Sequence, residues 1–151
     1  MIAKLHLVIA LIASVYLYYS DTSRISKTNY LSSSKIQQQT ALQKSKANGK
    51  DIYTDFCMQC HMANGKGDGL NFPPLDGSDW LKKKRSQSIH VVKYGQAGEI
   101  IVNSKKFNAI MPAPVGLSNQ EIADVLNYVM NSWSNKNKNI VTADQVALVK
   151  P

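Results

Sequence analysis

The reading of the chain turns on Cys57-Met58-Gln59-Cys60-His61. Two cysteines at i and i+3, with a histidine directly behind the second, read as the attachment site of a covalent c-type haem. Residues three and four apart share one helical face, so both sulfurs can bond the porphyrin edge while His61 reaches the iron. Other uses of these residues fit less well. They are the only two cysteines in the chain. A zinc site needs four ligands; Cys60 and His61 are adjacent, and His6 and His90 would have to complete the set. A thioredoxin-like pair wants its thiolate at a helix N-terminus, where the dipole lowers its pKa. Here Ile52, Tyr53 and Phe56 recur at helical spacing ahead of the motif, which puts the cysteines at the other end of a helix near Gly49–His61.

Downstream, Asn64-Gly65-Lys66-Gly67-Asp68-Gly69 is a turn-rich loop, since glycine supplies positive φ at little cost. A phosphate-loop reading fails because no strand precedes it and the full Walker pattern is missing. Phe72-Pro73-Pro74-Leu75-Asp76-Gly77 is a rigid turn, followed by Trp80-Leu81 and the basic run Lys82-Lys83-Lys84-Arg85. A helix is expected over Ser86–Tyr94, ended by Gly95. Its His90 is read as a surface histidine, with iron ligation as the sharper alternative. Ile100, Ile101 and Val102 are β-branched, Asn103-Ser104 is a turn candidate, and Lys106–Ala109 would return, giving a short hairpin. The hairpin leads into Ile110-Met111-Pro112, where proline stiffens a loop carrying a plausible thioether ligand.

The last strong element is helical. Ser118 and Glu121 form a capping box. Ile122, Val125, Leu126, Val129, Met130 and Trp133 follow as one apolar stripe, which reads as core and not as a partner zipper. Residues 135–151 form a polar tail in which Thr142 and Gln145 would cap one short final helix.

Upstream, Leu5–Tyr19 is apolar apart from His6 and Ser14, so residues 1–20 read as a signal peptide or an N-terminal membrane anchor. Tyr16, Tyr18 and Tyr19 resemble an interfacial aromatic anchor. Residues 21–47, rich in Ser, Lys, Thr and Gln, are expected to be a polar linker with a root-mean-square reach of about 30 Å. The compact domain is expected over 48–134. The net charge of +8 comes without a basic repeat or a nucleic-acid reader motif, so no nucleic-acid partner is expected. An acidic protein partner accounts for it better than an anionic membrane surface does.

From about Ala47 to Trp133 the sequence resembles a class I monohaem cytochrome c. The attachment motif is the specific part of the likeness, and an ordered set of weaker matches supports it. Gly49 and Tyr53 sit where the family's first helix crosses its last, opposite Val125 and Tyr128. Pro73 matches the proline whose carbonyl accepts the axial histidine's other N–H, Leu75 matches its apolar neighbour, and Met111 matches the sixth ligand. The Gly95…Gly98-Glu99-Ile100, Met111-Pro112 and Leu117–Trp133 order looks most like small bacterial cytochromes accompanying periplasmic dehydrogenases, copper nitrite reductases or terminal oxidases. Lys105-Lys106-Phe107 departs from the pattern, since Asn103-Ser104 stands where a glycine-containing turn is expected.

The resemblance implies a mainly α cytochrome c fold around one haem c, covalent through Cys57 and Cys60. It implies His61 and Met111 on the iron, and a protein exported from the cytoplasm. The implied function is one-electron transfer between respiratory or periplasmic redox partners, with no catalytic residues. Two alternatives stand beside it: a haem-bearing relay subunit of a larger oxidoreductase, and a five-coordinate sensor or peroxidase if Met111 does not bind. Partners would present acidic docking surfaces to Lys82, Lys83, Lys84 and Arg85, with Lys66, Lys93, Lys105 and Lys106 as further candidates. Residues 5–19 would provide any membrane contact.

Overall fold

The computed structural model describes residues 12–18, 36–37 and 40–151. Backbone contacts divide the chain into two units, Met1–Thr40 and Ala41–Pro151. In the first, residues 12–18 are helical, and Ile12, Val15, Tyr16, Leu17 and Tyr18 are exposed. The rest of the expected signal or anchor segment, 1–11 and 19–20, lies outside the described residues, as do 21–35 and 38–39 of the expected linker. Among the described residues no helix is long and apolar enough to cross a membrane.

The second unit holds six helices and one hairpin among its described residues. Helix α1 covers 41–56 and runs almost directly into α2, Met58–His61. It starts upstream of the expected Gly49, so the linker boundary at residue 47 is corrected: 41–47 belong to the first helix. A polar network explains why. The Ser45 hydroxyl is buried, donates to Asp124 Oδ1 at 2.5 Å and accepts from Asn127 Nδ2 at 2.9 Å. Asn48 Nδ2 and Gln120 Nε2 also donate to the Asp124 carboxylate. Polar residues thus face the core here, which composition alone assigns to a solvated spacer.

Helix α1 crosses α5, Asn119–Val129, at Gly49. A Cβ at Gly49 would lie 2.0 Å from the Asp124 carbonyl oxygen, so only glycine allows this approach. The capping box of Ser118 and Glu121 starts α5 with both of its reciprocal bonds. Its stripe Ile122, Val125, Leu126 and Val129 is buried, together with Met130 at the C-cap. Trp133 does not continue the stripe in helix. It lies beyond the end with φ +54°, and its ring folds back against Tyr53 and Tyr128.

Between these helices, α3, Asp79–Lys83, is a short helix that sequence spacing missed; the Ser78 hydroxyl caps it by accepting from the Leu81 amide. Helix α4, Arg85–Tyr94, ends at Gly95. Strands β1, Ile100–Val102, and β2, Lys105–Phe107, pair antiparallel with Ile100 opposite Phe107. Asn103 and Ser104 both adopt positive φ, +50° and +64°, so they make the tight turn without a glycine. Helix α6, Ala143–Leu148, starts at a capping box of Thr142 and Gln145, and Val141 and Val146 are buried in the core cluster. The Asn127 side chain holds the tail in place, accepting from the Val141 amide and donating to its carbonyl. The result is a mainly α domain with one small hairpin ahead of Met111.

Candidate functional site

Cys57, Cys60 and His61 leave the C-terminal end of the α1–α2 run. The Cys57 amide donates to Tyr53 O at 2.9 Å and the His61 amide to Cys57 O at 2.9 Å, so helical bonding passes through the motif. Two aromatic side chains then fasten the turn that follows. Tyr53 Oη donates to Met62 O at 2.6 Å, and Trp133 Nε1 donates to Ala63 O at 3.2 Å. The Trp133 ring lies directly on Gly65, where a Cβ would come within 2.6 Å of ring carbons.

The motif opens onto a cavity of about 310 Å³, within the span of about 300–1,000 Å³ usual for cofactor pockets. Cys57, Cys60, His61, Pro73, Leu75 and Met111 all line it. So do Trp80 and Leu81 of α3, Val91 and Val92 of α4, Val102 and Phe107 of the hairpin, and Val125, Leu126 and Val129 of α5. Every element from the motif to α5 therefore contributes a wall.

His61 is buried, with 7 % of its surface exposed. Its Nδ1 lies 3.0 Å from the Pro73 carbonyl oxygen. A carbonyl can only accept, so Nδ1 carries the proton and the Nε2 lone pair is left for a metal. Burial lowers the His61 pKa, which keeps the ring neutral as a ligand must be. Burial, with Cys60 nearby, pushes the Cys57 thiol up to about 11. An activated redox thiol is shifted the other way.

Met111 reaches the cavity from the far side of the sequence. Its amide donates to Gln96 O at 2.9 Å and the Gln96 amide donates to Met111 O at 2.8 Å, an isolated antiparallel bridge. Gly95, at φ +87°, lets the two segments meet; a Cβ there would stand 2.8 Å from the Met111 carbonyl oxygen. The remaining described methionines do not line the cavity: Met130 is in the core, Met58 packs against the core, and Met62 is exposed. His90 is likewise absent from the lining and faces the Tyr94 ring. His6 lies outside the described residues.

The basic candidates divide into two sets. Arg85 is committed inside the molecule, donating to Asn139 O, Ile140 O and Gln145 Oε1. Lys93 donates to Val146 O and Val149 O, Lys105 to Gly69 O, and Lys106 pairs with Glu99 at 3.0 Å. Lys66, Lys82 and Lys83 are exposed, and Lys84 lies over the Trp80 ring at 4.0 Å.

A cavity walled by apolar side chains, with two thiols and a neutral imidazole on one side and a thioether segment on another, has the donor set a c-type haem requires. The cytochrome c family model matches residues 46–133. The chain belongs to the cytochrome c family. It is 38 % identical over 96 residues to cytochrome c-552 of Thermus thermophilus, covering 61 % of this chain and 72 % of that protein. It is 33 % identical over 100 residues to the cytochrome c subunit of a quinone alcohol dehydrogenase from Gluconobacter oxydans, covering 65 % of this chain and 21 % of the subunit. The gluconate 2-dehydrogenase cytochrome c subunit of Pantoea cypripedii is 30 % identical over 109 residues, covering 68 % and 24 %. A cytochrome c carries covalent haem c and transfers electrons, and the paired cysteines at 57 and 60 supply the attachment.

Gly95 is where the site's assembly is most exposed to substitution. Gly95→Val should force the Gln96–Met111 bridge apart, and the Met111 amide should exchange with solvent at least about tenfold faster, the factor for losing roughly one backbone bond. Hydrogen exchange of the holoprotein tests this; unchanged protection at Met111 would show that the segment is placed by something else.

Proposed function

We propose that this cytochrome is a one-electron carrier whose haem c is bonded through Cys57 and Cys60 and held axially by His61 and Met111, with Pro73 and Leu75 completing the site. One observation carries the reading: the motif and Met111, distant in sequence, line a single apolar cavity. Bound haem c supplies a one-electron ferric/ferrous couple. Met111 offers a neutral sulfur, which favours the reduced state, and the apolar walls exclude water and act in the same direction. With His61 and Met111 both holding the group, no position would be left on it for a substrate. The chain is then not itself an enzyme, and it has no catalytic residues.

The partners are redox proteins, and in this reading they present acidic groups to Lys82, Lys83 and Lys84. Trp80 and Leu81 of the same short helix line the cavity, so a partner seated on these lysines is brought beside the cofactor's wall. Brief electron-transfer encounters need steering more than buried area. Arg85 is left out of this surface because its guanidinium is spent on the tail. The apolar run Leu5–Tyr19 and the covalent attachment both support export to the periplasm, with the run either removed as a signal peptide or kept as an anchor. The dehydrogenase subunits among the relatives favour a second reading, a relay subunit within a larger oxidoreductase.

Met111→Ala should abolish the sulfur-to-iron charge-transfer band at the red end of the oxidised spectrum and lower the reduction potential. An unaltered spectrum would exclude Met111 as the ligand. Replacing Lys82, Lys83 and Lys84 by glutamine should slow second-order electron transfer with an acidic partner several-fold at low ionic strength and much less at high salt. Wild-type rates at low salt would move the docking surface elsewhere.

A further inference from the structure

We propose that Asp68 is a positioning residue for the axial histidine: its carboxylate fixes the loop that presents the Pro73 carbonyl to His61. The inference rests on the reading of His61 as a haem ligand and deepens it.

The imidazole needs an acceptor at Nδ1, and the acceptor it finds is a backbone oxygen in a loop with no regular structure. Pro73 and Pro74 have no N–H, so neither can be held through its own amide. The carbonyl must be placed from its flanks. On the downstream side the amides of Leu75 and Asp76 both donate to Gly65 O, at 2.7 and 2.9 Å. On the upstream side the anchor is a side chain. Asp68 Oδ1 accepts from the amides of Leu70, Asn71 and Phe72, each at 2.8 Å, and Oδ2 accepts from Asn71 Nδ2 at 3.1 Å.

Three successive amides gathered on one oxygen hold the chain up to the residue before Pro73. The same amides, Phe72's most strongly, hold the Asp68 carboxyl down at about 2, so it is ionised at any ordinary pH. Gly67 completes the clip. Its amide donates to His61 O at 3.1 Å, and its bare α-carbon lies under the Phe72 carbonyl, which a Cβ would approach to 2.1 Å. The loop thus grips the backbone of His61 at one end and its ring at the other, with Asp68 bracing the span between.

The consequence for the iron follows from the acceptor's effect on the ring. A firm Nδ1–H···O bond makes the imidazole a stronger donor and fixes its orientation. Loosening it weakens donation to the oxidised iron, so the reduction potential rises. Asp68→Ala should raise the potential, and the His61 Nδ1 proton of the reduced holoprotein should exchange roughly tenfold faster, as for the loss of a charge-assisted bond.

Asp68→Asn separates placement from charge. It removes the anion and the second acceptor oxygen but keeps one acceptor for the three amides, and should lie closer to wild type than to alanine in both measurements. If Asp68→Ala yields no holoprotein, Asp68→Ser, whose hydroxyl is a weaker loop acceptor, takes its place with the same expectation. Wild-type potential and exchange in the alanine variant overturn the proposal. So does an asparagine variant shifted as far as alanine, which would make the effect one of charge. The wild-type spectrum tells this failure from that of the ligation reading. Without ring-current-shifted His61 protons, His61 is not the ligand; with them, and with exchange indifferent to Asp68, only the positioning role fails.

Discussion

The domain closes around a cavity that its own side chains do not fill, and most of its other features answer to that fact. Leu81, Val102, Phe107, Val125, Leu126 and Val129 are buried, yet each also lines the cavity. They are core residues with one face turned to the cavity. An interior is ordinarily packed at the density of an organic crystal, and lining atoms without partners forfeit their dispersion contacts. The largely apolar ring of a bound haem c would supply those contacts. Haem would then belong to the core as α5 does, and folding would be tied to its attachment.

Placing side chains around such a site is a matter of backbone hydrogen bonding. His61 stands at the end of a helix whose last turn is fastened by Tyr53 and Trp133. Met111 stands on a segment pinned by two amide bonds to Gln96. Glycine appears where two chains must touch, at Gly49 under α5, Gly67 under Phe72 and Gly95 against Met111. The charged groups stay outside the cavity lining, and several are consumed in binding backbone carbonyls: Arg85 and Lys93 tie the tail to α4. A formal charge of +8 therefore overstates the number of cationic side chains free to contact a partner directly.

The attachment motif was legible because its chemistry is local; three-residue spacing alone brings both sulfurs and the imidazole to one face. Both capping boxes and the α5 stripe were legible for the same reason. The start of α1 was not. Ser45 and Asn48 look like linker residues until their partner, Asp124, is known, and Ser45 lies 79 positions away from it. The short α3 carries too few apolar residues to show a period. Trp133 kept the helical spacing but not the helix, because its ring is claimed by Gly65 and Tyr53. The hairpin turn formed despite lacking glycine, since Asn103 tolerates positive φ and is held there by Asp79: each residue's amide donates to the other's side-chain oxygen. Asp68 offered no signal in sequence beyond its place in a glycine-rich loop.

In the proposed site one thioether, from Met111, faces His61 across the cavity. Four of the five methionines, Met58, Met62, Met111 and Met130, lie in the domain, so their methyl-labelled resonances in the reduced holoprotein can be inspected by nuclear magnetic resonance whether or not the N-terminal run is removed. One methyl, assigned to Met111, is expected far upfield under the porphyrin ring current, with the other three in their ordinary range. An upfield methyl assigned to Met58, Met62 or Met130, or no upfield methyl at all, would contradict the account.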